Sequence, residues 1–140
     1  MRKLALALGL TAFLALSVGA GPARGDPDAG SMHGVMTCER VEAPGRVRCE
    51  VEARVAEGES ITWGDVVIVK TPPFAAALRG RIGPHDATVH DPTVWRWALA
   101  LVARDKGGGD VQGRVRLVVC KDGKCGPRTL DVRGHVAVGE

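Results

Sequence analysis

The chain has 140 residues, of which 45% are apolar, 25% are charged and 19 are glycine. This length and composition describe one folded, turn-rich domain and exclude a two-domain enzyme or a wholly disordered chain. The formal net charge is only +3, and acidic and basic residues alternate along the chain instead of clustering. We therefore expect no nucleic-acid partner, because such a partner requires a basic stripe or patch.

The N-terminus has the pattern of a secretory signal peptide. A basic start precedes an apolar run at 4–18, and small residues follow it. The run is shorter than the roughly 20 residues that span a bilayer, so we expect residues 1–20 to be a signal peptide cleaved after Ala20. Residues 21–31 are small, polar and interrupted by proline, which predicts a disordered leader. The mature chain would then have no membrane span and would be periplasmic or secreted.

Residues 32–140 are predicted to form the folded domain, because apolar and polar residues alternate there with the period of half-buried strands. The clearest run is 46–55, where valines, Cys49 and Ala53 alternate with arginine and glutamate. Further strands are predicted at 35–41, 61–70, 95–103, 111–119 and 129–138. The alanines of 95–103 leave a helix as the alternative for that run.

Six or seven strands joined by proline and glycine turns predict an all-β fold, an immunoglobulin-like antiparallel β-sandwich. The glycine run at 107–109 is predicted to be a loop. The core would be built from Val, Leu and Ala, with four large rings at Trp63, Phe74, Trp95 and Trp97.

Four cysteines in an exported chain predict two disulfides, and spacing alone allows three pairings. Asp122 and Gly123 are a preferred pair for a two-residue type I′ turn, which would place Cys120 opposite Cys125. The hairpin therefore favours a bridge between these two cysteines.

The other bridge is then Cys38 to Cys49. A turn predicted at 43–46 would pair Val41 with Arg48, and this register misses the alignment of Cys38 with Cys49 by two residues. A bulge or a bridge between sheets would be needed to bring the two sulfurs together.

The two bridges have different surroundings in the predicted strands. Cys49 shares its face with valines, which predicts a buried structural disulfide. Cys120 shares its face with arginines and should lie near solvent. Positive charge around the pair would stabilise a thiolate and raise its reactivity. The cationic residues in question are Lys121, Lys124 and Arg128.

The segment 113–127, together with the strand that follows it, resembles the end of the N-terminal periplasmic domain of the thiol:disulfide interchange protein DsbD. Cys120 and Cys125 match the reactive cysteine pair of that family, and Pro127 matches its first following proline. The resemblance implies an immunoglobulin-like domain with these two cysteines as catalytic residues and thioredoxin-like periplasmic proteins as redox partners. It also implies that Cys125 forms the mixed disulfide, and that an aromatic lid, for which 71–74 is the candidate, covers the pair.

The alternative function is a non-catalytic exported binding or structural module, in which the Cys120 to Cys125 bond only pins a hairpin. Most disulfides in small exported domains are structural. No metal or cofactor is predicted for either function. The histidines lack metal-ligand spacing, and the sequence has no nucleophile motif or phosphate loop.

Overall fold

The alternating pattern produces strands throughout residues 32–140, the part of the chain that the computed structural model describes. Nine strands and one short 3-10 turn, at Pro84–Asp86, follow one another there. The strands are β1 His33–Cys38, β2 Gly45–Arg54, β3 Ser60–Lys70, β4 Ala75–Ala77, β5 Arg81–Ile82, β6 Ala87–His90, β7 Val94–Ala103, β8 Gly107–Lys121 and β9 Lys124–Val138. The expected signal peptide (1–20) and leader (21–31) lie outside the described residues.

The strands form two antiparallel sheets. The first sheet has the order β1-β2-β7-β4, and β6 also pairs with β7 beside β4. The second sheet has the order β5-β3-β8-β9. Its two longest strands, β8 and β9, contain 15 residues each and pair along their whole length. The predicted all-β class and immunoglobulin-like sandwich are therefore confirmed. Among residues 32–140, no helix is long and apolar enough to cross a membrane.

The core lies between the facing sheets and is made mainly of valine, with alanine, leucine and two tryptophans. Trp97 is fully buried, and its indole Nε1 donates a hydrogen bond to the carbonyl of Gly83 at 3.3 Å. Trp95 packs beside it with ring centroids 5.8 Å apart. The segment predicted at 95–103 is thus the central strand β7, and the helix alternative is wrong, because every second residue of β7 faces the core.

The glycine run at 107–109 is not a loop, as predicted, but the first part of β8. Neighbouring side chains fill the space that larger residues would need. A Cβ at Gly107 would lie 3.0 Å from the ring of Phe74, and one at Gly109 would lie 2.9 Å from Pro72. The glycines therefore allow segment 71–74 to pack directly on the strand.

Trp63 was predicted to belong to the core, but it lies on the outer face of the second sheet. The pairing of β3 with β8 shifts between Ile61 and Trp63, so that one extra residue, Thr62, enters the strand. Such a bulge reverses the faces of the residues that follow it. Gly64 takes the inward position, where a Cβ would lie 2.8 Å from Leu117.

Candidate functional site

The candidate site is the disulfide at the tip of the β8–β9 hairpin. Cys120 and Cys125 are directly opposite each other and bonded, and the next pair, Lys121 with Lys124, ends the ladder. Asp122 and Gly123 form the turn with φ angles of 51° and 76°. Positive φ at both central residues is the type I′ geometry. The predicted hairpin and pairing are confirmed.

The two sulfurs of this bridge differ in their surroundings. Cys120 is half-buried between strands, and its Sγ lies 3.7 Å from the hydroxyl of Thr62. Cys125 is exposed. It lines a shallow surface hollow of about 250 Å³ together with residues of both strand ends. An incoming group would therefore meet Cys125 before Cys120.

The charged side chains that line this hollow are all basic. Lys121 and Lys124 are exposed at the turn, whereas the guanidinium of Arg128 contacts the carboxylate of Glu59. The two lysines therefore supply most of the uncompensated positive charge near Cys125. Such charge would favour a thiolate on a reduced cysteine.

Trp63, which was predicted to lie in the core, is on the same face of the sheet as the bridge. Trp63 is opposite Val118, and Val118 is opposite Pro127 in the next strand. These three residues form an apolar row one step from the disulfide. Gly64 could have indicated the bulge that turns Trp63 outward, because an isolated glycine inside a strand pattern often marks a bulge.

The lid suggested for residues 71–74 is not at the cysteines. This segment packs on Gly107 and Gly109, at the opposite end of β8 from Cys120. The backbone of Arg104 also donates to the carbonyl of Phe74 at 2.8 Å, which holds the segment at that end. The lid assignment is therefore wrong.

The second bridge joins Cys38 and Cys49, as predicted, but in a different register. The two residues are direct partners in the β1–β2 ladder, with neither a bulge nor a bridge between sheets. Residues 39–44 connect the strands through a longer turn than expected, because Val41 leaves the ladder and bridges to Val138. Cys49 is only 3% exposed, as the strand pattern predicted.

The outer face of the second sheet also carries a buried carboxylate. Asp65 has no exposed surface and accepts hydrogen bonds from Arg116, at 2.8 Å to Nε, and from Arg81 at 2.6 Å. Burial alone would raise the pKa of Asp65, but the hydrogen bonds from the two arginines outweigh it and lower that pKa. Asp65 therefore links β3 to β5 and β8, and both of its carboxylate oxygens already accept hydrogen bonds from arginines.

The described residues supply no cluster of three or more His, Cys, Asp or Glu side chains that could hold a metal. Met32 and Met36 are buried core residues. A Cβ at Gly134 would lie 2.9 Å from Met36. Their role in the structure is packing.

We predict that the two bridges differ in lability. A mild dithiol should reduce Cys120–Cys125 first, because Cys125 is exposed, whereas Cys38–Cys49 should survive until the protein unfolds, because Cys49 is buried. Differential alkylation followed by peptide mass spectrometry measures both rates. Equal alkylation of all four cysteines under native conditions would contradict the prediction.

No family model matches the sequence, and no curated protein is significantly similar to it. Among solved structures, the chain is similar to a PapD-like domain of human CEP192, with 10% identity, TM-score 0.44 and coverage of 91% of this chain and 97% of that chain. It is also similar to a type I cohesin from Pseudobacteroides cellulosolvens, with 12% identity, TM-score 0.37 and coverage of 75% and 91%. A chain from the AAF fimbriae of enteroaggregative Escherichia coli matches at 8% identity and TM-score 0.37, with coverage of 77% and 99%.

Proposed function

We propose that this protein is a non-catalytic, disulfide-stabilised immunoglobulin-like module that binds a partner outside the cytosol. The observation that carries the proposal is the position of Cys120 and Cys125, which form the second pair back from the two-residue turn of the longest hairpin, next to the Lys121–Lys124 pair. A bridge there holds the register of β8 and β9 at their tip. Loop closure of this size contributes about 2 kcal/mol to stability.

The architecture of the sandwich supports a binding function. Two rigid sheets present surfaces whose shape is set before any partner arrives, which lowers the entropy cost of association. Two disulfides are typical of oxidising compartments. Together with the signal-like N-terminus, they support a periplasmic or secreted location.

The reduction potential of the Cys120–Cys125 bond tests this function. We expect a value below about −300 mV, the range of structural bonds that glutathione does not reduce. The double variant Cys120→Ser, Cys125→Ser should stay folded, and its free energy of unfolding should fall by about 2 kcal/mol. A potential within the range of exchange proteins, roughly −120 to −270 mV, would overturn the non-catalytic assignment.

Thiol–disulfide exchange is the second candidate function, and the exposure of Cys125 beside two lysines favours it. In this reaction a partner thiolate attacks Sγ of Cys125, the bond to Cys120 breaks, and Cys120 leaves as a thiolate. A second partner thiolate then attacks the partner's sulfur in the mixed disulfide, and Cys125 leaves as a thiolate. The partner becomes a disulfide, and the hairpin pair becomes a dithiol that has gained two electrons. The resemblance to the DsbD domain supports the same assignment.

A trapping experiment tests this second function. The Cys120→Ser variant should form a mixed disulfide with a thioredoxin variant whose single cysteine carries an aromatic disulfide leaving group. It should do so about tenfold faster than Cys125→Ser, because Cys125 is exposed whereas Cys120 is half-buried. Gel mobility without reductant reports the adduct. Equal rates for the two variants would contradict the role of Cys125.

A further inference from the structure

A notch interrupts the first sheet along the edge of β7. Between β4 and β6 the chain leaves this sheet, pairs with β3 of the second sheet through Arg81 and Ile82, and then returns. Within residues 32–140, no strand therefore pairs with this edge of β7 at residues 98 and 99. The resulting notch has a volume of about 290 Å³.

The lining of the notch is largely apolar, although it opens to solvent. Ile82 and Leu99 are buried at its base, and Ala98 and Ala100 form its wall. Leu78 stands at its mouth with 55% of its surface exposed. Apolar surface that a folded domain leaves open in this way is a common feature of binding sites.

The apolar surface extends from the notch along the outer face of the sheet. Val102 is 37% exposed and lies two residues beyond Ala100 on β7. Large hydrophobic side chains are exposed at only four places in residues 32–140, and two of these, Leu78 and Val102, lie at or beside the notch. The notch therefore has two of these four exposed side chains, and the other two, Val35 and Val69, lie elsewhere on the surface.

Two arginines line the other side of this surface. Arg48 is directly opposite Ala100, and Arg46 is directly opposite Val102. Within the described residues neither guanidinium has a carboxylate within ion-pair distance, although Arg79, across the notch, is paired with Asp86 at 2.9 Å. The site therefore offers two available guanidinium groups beside an apolar cavity.

We propose that this notch binds an acidic peptide segment of a partner protein. An apolar side chain of the segment enters beside Leu78 and Ile82, and neighbouring carboxylates bind Arg46 and Arg48. An arginine can donate two parallel hydrogen bonds to one carboxylate, so Arg46 and Arg48 together favour a peptide with acidic residues. This proposal rests on the binding function above and names its site and ligand class.

The size of the notch favours a peptide side chain over a cofactor. Its volume is at the lower end of ligand pockets, about 300 Å³, so it suits one side chain better than a complete cofactor. The arginines lie on alternate positions of β2, about 7 Å apart along the strand. Acidic residues at alternate positions of an extended peptide have the same spacing, so they can reach both guanidinium groups.

Fluorescence anisotropy with labelled synthetic peptides tests the proposal. The probe is a short peptide with a central leucine flanked by glutamates, and two matched probes replace the leucine with alanine or the glutamates with lysine. The protein variant Arg46→Glu, Arg48→Glu is compared with Lys121→Glu, Lys124→Glu. The second variant makes the same change in charge on the other sheet, at the far end of the sandwich.

We expect the acidic leucine peptide to bind the unmodified protein and the lysine control variant equally. Its affinity should fall at least about tenfold in the arginine variant and for the alanine peptide, because each change removes contacts worth a factor of this size. Amide resonances of Ala98, Leu99 and Ala100 should shift on binding. The Leu78→Ser variant is a second check, because Leu78 lies outside the strands and its replacement should leave both sheets intact. The affinity for the acidic leucine peptide should fall in this variant as well.

Three results would overturn the notch as a peptide site. The first is that the acidic leucine peptide does not bind. The second is that the affinity for this peptide falls equally in the arginine variant and in the lysine variant. The third is binding of a heparin fragment as tight as that of the peptide, because a polyanion has no apolar side chain. None of these results changes the potential of the hairpin bond, so failure of the notch is distinguishable from failure of the non-catalytic function.

Discussion

Replacing Trp97 with alanine is expected to lower the free energy of unfolding by about 3–5 kcal/mol. Trp97 has no exposed surface, is at the centre of β7 and packs against Trp95. Its removal leaves a cavity between the two sheets, and it also leaves the carbonyl of Gly83 without the indole donor. Urea unfolding followed by far-ultraviolet circular dichroism measures the change.

Trp63 supplies the matched control for this substitution. Because the bulge at Thr62 directs Trp63 to the outer face, where it is only half-buried, Trp63→Ala should cost about 1–2 kcal/mol, clearly less than Trp97→Ala. Trp97→Phe should fall between the two alanine variants, and it provides a measurable value if Trp97→Ala does not fold. Equal losses for Trp63→Ala and Trp97→Ala would contradict the register of β3.

Replacing Asp65 with asparagine is expected to cost about 2–3 kcal/mol at neutral pH, because it removes charge-assisted hydrogen bonds from a buried position. The pKa of Asp65 is held below its ordinary value of 3.8 in the folded protein. The stabilisation by the carboxylate is therefore fully present above pH 3.8. It is lost as the pH falls below that value, through the pKa of the folded state.

Urea titrations over a series of pH values measure this effect. The difference in stability between the unmodified protein and Asp65→Asn should be largest at neutral pH and should shrink below pH 3.8. Asp131→Asn is the control, because its carboxylate also pairs with an arginine, Arg114, but is 73% exposed. The control should change stability by about 0.5 kcal/mol or less. A difference for Asp65→Asn that does not depend on pH would show that the carboxylate charge is not what stabilises this position.

The binding and redox proposals concern opposite ends of the molecule. The notch lies beside Arg46 and Arg48, at the end of the first sheet where β2 begins, whereas Cys125 lies at the tip of β9 in the second sheet. Substitutions at one site can therefore be used as controls for the other. Their effects should be additive, because distant sites with no shared partners seldom couple.

The sequence by itself determined the features that depend on local patterns. Alternation at 46–55 and 111–119 requires strands with one buried face, since polar side chains cannot enter the core without partners. The Asp122–Gly123 pair adopts positive φ at low cost, so the hairpin and its cysteine pair follow from a few neighbouring residues. These predictions needed no knowledge of which strands are neighbours.

Only the tertiary structure decided the features that depend on contacts between distant segments. The bulge that turns Trp63 outward arises where β3 meets β8, and the strand at 107–109 needs Phe74 and Pro72 packed against its glycines. The notch beside Arg46 exists because the chain crosses between sheets after β4. Single-residue slips and crossovers of this kind are set by packing across the core, which the alternating pattern of one strand does not encode.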